Sequence, residues 1–280
     1  MTRHGFTLTE LLIGMVVLAL LGTALARILI NNSRFVSRQD AMMDARATAR
    51  AAMQPMVVEL HMVPDSGLVM AARDSISVTV PYAFGMTCQP TSGTATVAAL
   101  MPVDSLIYAS AVTEGMAWRD STGRYQRQIT GISVASSTNL AQCTNDSVRV
   151  IPGGQLIAIS GIPSARMPPS GSIFYLFQTV TYRFMTSVDV PGRRGLWRRA
   201  GTGAYEELAA PFDTAAKFAF LMGPFMQTQL RSSLPSRASR DSVRGIELRL
   251  TGQSVSAPQG TSSPQTFDLR TSVAFMNKVY

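Results

Sequence analysis

One carboxylate in this chain stands where a carboxylate is costly. In GFTLTELLIGMVVLALLGTALAR (5–27), Glu10 sits at the front of an apolar run. An acid at bilayer depth costs about 2.5–3.5 kcal/mol on insertion scales. Elsewhere, residues able to do chemistry are few: two histidines (His4, His61) and two cysteines (Cys88, Cys143). A zinc site takes several Cys, His or carboxylate ligands at close spacing, and no such cluster stands in the sequence. A histidine-based triad would rest on His61, which falls late in a helical pattern beside Met62 and Val63 and reads as a half-exposed helix residue. Asp65, Asp74, Asp104, Asp120 and Asp146 are scattered through turns, without the alternate-position carboxylates of a calcium loop. GTGAY (201–205) lacks the third glycine and the P-loop lysine of a nucleotide site. The expectation is a chain with no catalytic residues, no metal and no cofactor.

Two other clusters carry possible chemistry. GRRGLWRRAG places Arg193, Arg194, Arg198 and Arg199 around Trp197. Guanidinium groups on phosphates with an indole stacked on a base would suit nucleic acid. The plainer reading is a hairpin with PGRRG as its turn and a following strand that shows two arginines to water. Cys88 and Cys143 could form a bridge worth about 4 kcal/mol in chain-entropy terms, or remain two buried thiols.

The elements that must position these residues follow from patterning. The chain has 280 residues, 46% of them hydrophobic, and a formal charge of +8 that is almost all arginine, since Lys217 and Lys278 are its only lysines. That composition suits a packed core and excludes a disordered chain. Leu11–Ala26 with the residues before it makes about one bilayer crossing, which takes roughly 20 residues. The helical pattern then continues: Phe35, Met42, Ala49, Met53, Met56, Leu60 and Val63 fall on one stripe, with Asp40 and Asp44 opposite. Pro64 ends it. One helix is expected over 6–63, of which about 6–30 is apolar.

From residue 64 the period changes to two. SISVTVPYAF, SVRVI, QLIAIS, IFYLFQTVTYRFM, GIELRLTG and TFDLRTSVAF alternate as half-buried antiparallel strands, separated by Gly, Pro and Ser clusters. Phe174, Leu176, Val180, Tyr182 and Phe184 are expected inward on one strand. On another, Ile246, Leu248 and Leu250 point inward, with Glu247 and Arg249 outward. The fold class is therefore α+β: a long N-terminal helix packed on a β-rich antiparallel domain spanning 64–280.

The N-terminus admits two readings. One is a secretory signal with MTRH as its basic region and a cut after Ala26, releasing a secreted β-rich binding protein; it leaves Glu10 without a role. The other rests on Gly5, Phe6, Thr7-Leu8-Thr9 and Glu10. GFTLTELLIGMVV resembles the prepilin leader of type IV pilins and type II secretion pseudopilins. The resemblance implies a leader at 1–5 cut after Gly5 by prepilin peptidase, N-methylation of the new Phe6 terminus, and pairing of Glu10 with the Phe6 amine of a neighbouring subunit. An amine and a carboxylate in lipid both favour pairing over standing alone. Many major pilins carry a proline where this sequence has Arg27.

Further along, VTYRF (180–184), GLWRR (195–199), VRGIELRL (243–250) and FDLRTSVAF (267–275) come in an order similar to PilW-like minor pilins and J-type pseudopilins. That resemblance implies a subunit held in the inner membrane with its globular domain in the periplasm. It would then enter a surface pilus or a periplasmic pseudopilus beside other minor subunits and the major pilin. Residues 85–170 resemble nothing in those families.

Overall fold

The computed structural model describes residues 8–64, 66–90, 95–108, 111–119, 125–128, 133–136, 143, 154–223, 227–229 and 233–275. Helix α1 runs from Leu8 to His61, about 80 Å at 1.5 Å per residue. It passes through Pro55 and closes on turn bonds from Met62 N–H to Glu59 O and from Val63 N–H to Leu60 O.

The chain then forms β1 (Leu68–Ala71), β2 (Ser75–Pro90), β3 (Ala95–Leu100), α2 (Pro102–Tyr108), β4 (Gly115–Arg119), β5 (Tyr125–Gln128), β6 (Ser133–Ser136) and β7 (Leu156–Ser160). After these come β8 (Ile173–Thr186), β9 (Arg194–Ala200), β10 (Glu206–Phe212), β11 (Lys217–Met222), β12 (Gln227–Gln229), a one-turn helix α3 (Arg237–Asp241), β13 (Val243–Gln253) and β14 (Thr266–Ala274). Among the described residues all the pairings are antiparallel. They order the sheet β12-β11-β13-β10-β9-β8-β2-β3-β7-β6, with β14 on β13, β1 on β2, and the β4–β5 hairpin on β8. The expected strand SVRVI lies outside the described residues.

Two long strands organise the domain. β2 and β8 pair from Ser75↔Arg183 to Met86↔Ile173. Their near halves supply Ile76, Val78, Val80, Val180, Tyr182 and Phe184 to a core shared with α1, β11, β13 and β14. Their far halves supply Tyr82, Ala83, Phe174 and Leu176 to a second core with Trp118, Ile157 and Ile159. Tyr182 meets Glu59 of α1, and Phe174 lies about 26 Å further along the strand at 3.3 Å per residue. Gly252, by contrast, touches α1 at Ala45, toward the helix's apolar end. The second lobe therefore extends past the C-terminal end of α1, at the far side of the molecule from the apolar segment. Most of the described residues of the stretch that resembled no family, 85–170, lie in it.

The helix packs through a seam of small residues. Ala41, Ala45, Ala49, Ala52, Met56 and Leu60 are buried, at spacings of three and four that keep one face. The stripe read from the larger side chains is corrected at its start: Phe35 is 60% exposed and Met42 is only half-buried, whereas Met53 packs against the core. At the level of Met42 the reason is distance. A Cβ on Gly252 would lie 2.2 Å from Ala45 O, so backbone meets backbone and only alanine fits between. Further along, burying Met56 and Leu60 contributes about 1.5–3 kcal/mol each.

The five expected inward residues of β8 are buried, as are Ile246, Leu248 and Leu250. Glu247 is a correction, being buried rather than facing water. Its Oε1 accepts from Arg249 Nε at 2.6 Å, which compensates the carboxylate between Ala219 and Ser272 of the flanking strands.

Candidate functional site

The apolar half of α1 is the first feature with functional content. Residues 8–36 of the helix are exposed throughout, and none of its most apolar 18-residue window is buried by the domain. Leu8 is 79% exposed and Leu18 75%. A side-chain array this apolar is unstable in water and suits lipid or a bundle of like helices. Glu10 lies on this exposed half, within the first turn of α1. Gly5 and Phe6 lie outside the described residues.

The other half is anchored by a polar clamp that the sequence reading missed. Glu59 accepts from Arg198 of β9, Nη2 to Oε1 at 2.6 Å and Nε to Oε1 at 3.1 Å. The Tyr182 hydroxyl of β8 donates to the same carboxylate. Burial, reinforced by the Glu59 charge, pushes the Tyr182 phenol well above its ordinary range. For Arg198, burial pulls downward, but the hydrogen bonds and charge of Glu59 more than offset it and its pKa is raised. A signal was present in the sequence, because Glu59 falls on the angle of the alanine seam at roughly 100° per residue.

A second tie holds the helix nearer its apolar end. The β13–β14 connection reaches back along α1, where Ser33 Oγ donates to Gln259 Oε1 at 2.9 Å and Gln259 N–H donates to Ser37 Oγ at 3.1 Å. The domain thus grips α1 from about Ser33 to Val63 and leaves the helix from Leu8 to Asn32 exposed.

The arginine–tryptophan cluster does not form one face. Period-two geometry sends alternate residues of a strand to opposite sides. Arg198 turns in to Glu59. Arg194 lies over the Phe184 ring, 4.7 Å from its centroid, and donates to Ala216 O at 3.1 Å; burial lowers its pKa. Arg193 donates to Gln253 Oε1 at 3.4 Å, and Arg199 stacks over Tyr205 on the other side. Trp197 Nε1 is buried. The five residues are not brought together as a phosphate-and-base platform. The hairpin is present, with β8 and β9 paired across the turn, but its strand does not show both arginines to water, since Arg198 is committed to an ion pair.

Cys88 and Cys143 are joined by a disulfide with Cα atoms 5.0 Å apart, packed with Leu156 in the far lobe. His61 is a half-buried residue at the end of α1. Among the described residues no three His, Cys, Asp or Glu side chains gather to hold a metal. GTGAY forms the turn between β9 and β10, with Gly201 at φ +54°.

Residues 1–26 match the family model described as the prokaryotic N-terminal methylation motif. No curated protein and no solved structure matches the chain. The matched motif, followed by a helix whose apolar half stands free of its domain, supports a type IV pilin-like protein, processed by prepilin peptidase, anchored by that helix and assembled with other pilins.

Proposed function

We propose that the chain is a minor pilin or pseudopilin subunit. Prepilin peptidase cuts after Gly5, Phe6 becomes the N-methylated terminus, and the subunit waits in the inner membrane with its domain in the periplasm. In the filament, the apolar half of α1 packs among neighbouring helices, and Glu10 pairs with a Phe6 amine to set the register. The β-rich domain faces outward. Its size, enlarged by a lobe carried beyond the end of α1, suits a rare or tip-located subunit better than a shaft repeat. The role is structural, with no reaction at Glu10.

The observation that carries this reading is the division of α1: one half is held by Glu59, the alanine seam and the Gln259 tie, and the other, from Leu8 on, is exposed and not buried by the domain. In the competing reading, a signal peptidase cut after Ala26 would fall within an uninterrupted helix. Intact mass and N-terminal sequencing of protein from its native membrane test the proposal. A start at N-methylated Phe6 is expected; a start at Arg27 would overturn it and leave a secreted binding protein.

A further inference from the structure

Arg27, Arg34 and Arg38 continue the face of α1 that carries the alanine seam. At roughly 100° per residue the three fall within about 20° of Ala45. All three are exposed, and none is in an ion pair among the described residues. The acids of this stretch are elsewhere: Asp40 and Asp44 lie roughly 100–140° round the helix. The tie from the domain is uncharged as well, since residues 254–265 include no acidic side chain. The result is a stripe of three exposed guanidinium groups with no ion-pair partner among the described residues, starting at the end of the apolar segment and running up the first turns held by the β13–β14 connection, where Arg34 lies beside Gly260.

Its height matters. With Leu8–Ala26 filling the hydrocarbon, Arg27 stands at the lipid boundary. Arg34 and Arg38 follow at about 10 Å and 16 Å along the axis. Helical Cα–Cβ bonds tilt toward the N-terminus, which favours reach toward the bilayer for Arg27 and Arg38, while Arg34 lies beside Gly260 of the connection. Long cationic side chains at helix ends place their heads among lipid headgroups. Lysine and arginine are usually in excess on the cytoplasmic flank, so three arginines on the domain side are unfavourable there unless something local neutralises them.

We propose that the Arg27–Arg34–Arg38 face binds the headgroups of anionic phospholipids, holding the unassembled subunit upright with its domain close to the membrane. This rests on α1 being the membrane anchor. The ligand chemistry is a phosphodiester held at the surface of a bilayer. Juxtamembrane cations gain by that contact, and the gain falls off within a Debye length.

The test uses the full-length protein in an equal mixture of phosphatidylcholine and phosphatidylglycerol, with the lipids retained after purification counted by mass spectrometry. Wild type is expected to favour phosphatidylglycerol by roughly fivefold for each arginine that reaches the headgroups. The triple variant R27Q/R34Q/R38Q is expected to lose that preference and R34Q alone to lose part of it. R237Q/R270Q, altering exposed arginines of the domain, keeps it. Equal preference in wild type and the triple variant would overturn the proposal, and so would retention abolished by inorganic phosphate at constant ionic strength, which would mark a free-anion site. A wild-type chain that does not partition with lipid at all would instead overturn the anchor reading beneath it. Protease resistance of the domain in each variant separates misfolding from lost contact.

Discussion

Arg198 reaches from β9 across the helix–sheet boundary to set two of its nitrogens on the Glu59 carboxylate, at 2.6 Å and 3.1 Å. Their side chains are 22% and 16% exposed, and Tyr182 completes the group. Removing one partner of such a pair strands the other in a poorly solvated site. Glu59→Ala is expected to cost about 2–4 kcal/mol and to loosen α1 from β8 and β9. Glu59→Gln, which keeps a carbonyl acceptor, should cost less. Urea denaturation of the detergent-solubilised chain reads both, and equal stability of Glu59→Ala and wild type would count against the clamp.

The clamp also predicts an alkaline limit. Burial raises the Tyr182 phenol above its ordinary value of 10.0, and Tyr82 is pushed up to about 12, again chiefly by burial. A raised folded-state value means that the stabilisation is whole below pH 10 and is lost as pH climbs above it, because the unfolded chain releases these protons first. Stability should fall by about 1.4 kcal/mol per pH unit for each tyrosine in that window. Tyr182→Phe should flatten the slope in a denaturation series taken on both sides of pH 10.

Gly252 tests the closeness of helix and strand. With Ala45 O 2.2 Å from the position of its missing Cβ, even Gly252→Ala must push α1 outward. Overpacking of this kind typically costs about 1–3 kcal/mol, and Gly252→Val should cost more than Gly252→Ala. A thermal melt compares them; Gly223, with nothing within 4 Å but φ +69°, is a poor control, so Gly14, equally open and without that strain, serves instead.

The Cys88–Cys143 bridge fastens the far lobe, well away from α1. Replacing both cysteines with serine should destabilise by about 2–4 kcal/mol. Proteolysis should then appear first in the far lobe, while the core around Met56 and Leu60 stays protected. Simultaneous loss of both would show that the two lobes unfold as one unit.

Glu10→Ala should leave N-terminal processing and membrane insertion intact and reduce incorporation into filaments. Comparing the subunit in sheared filaments with that in the membrane fraction measures this. Unchanged incorporation would remove Glu10 from the proposed docking contact.

Several features were open to a reader of the sequence because they depend only on neighbours in the chain. The apolar run, the placement of Gly5, Phe6 and Glu10, the change from a helical period to alternation, and the inward faces of β8 and β13 are all local patterns. The helix contact surface was largely legible: Ala49, Met53, Met56, Leu60 and Val63 fell on the stripe, but Met42 drew it the wrong way, since size suggested burial where closeness to Gly252 demanded alanine, and Phe35 lies about 15 Å before that contact on the exposed half. What tertiary structure decided was every relation between distant segments. Glu59 meets Arg198 across 139 positions, and whether the arginines of β9 face one way or two depends on what packs above and below that strand. The second lobe rests on two strands running past the end of the helix. Local periodicity states which face of an element is apolar; only the packed chain determines what that face meets and how near it comes.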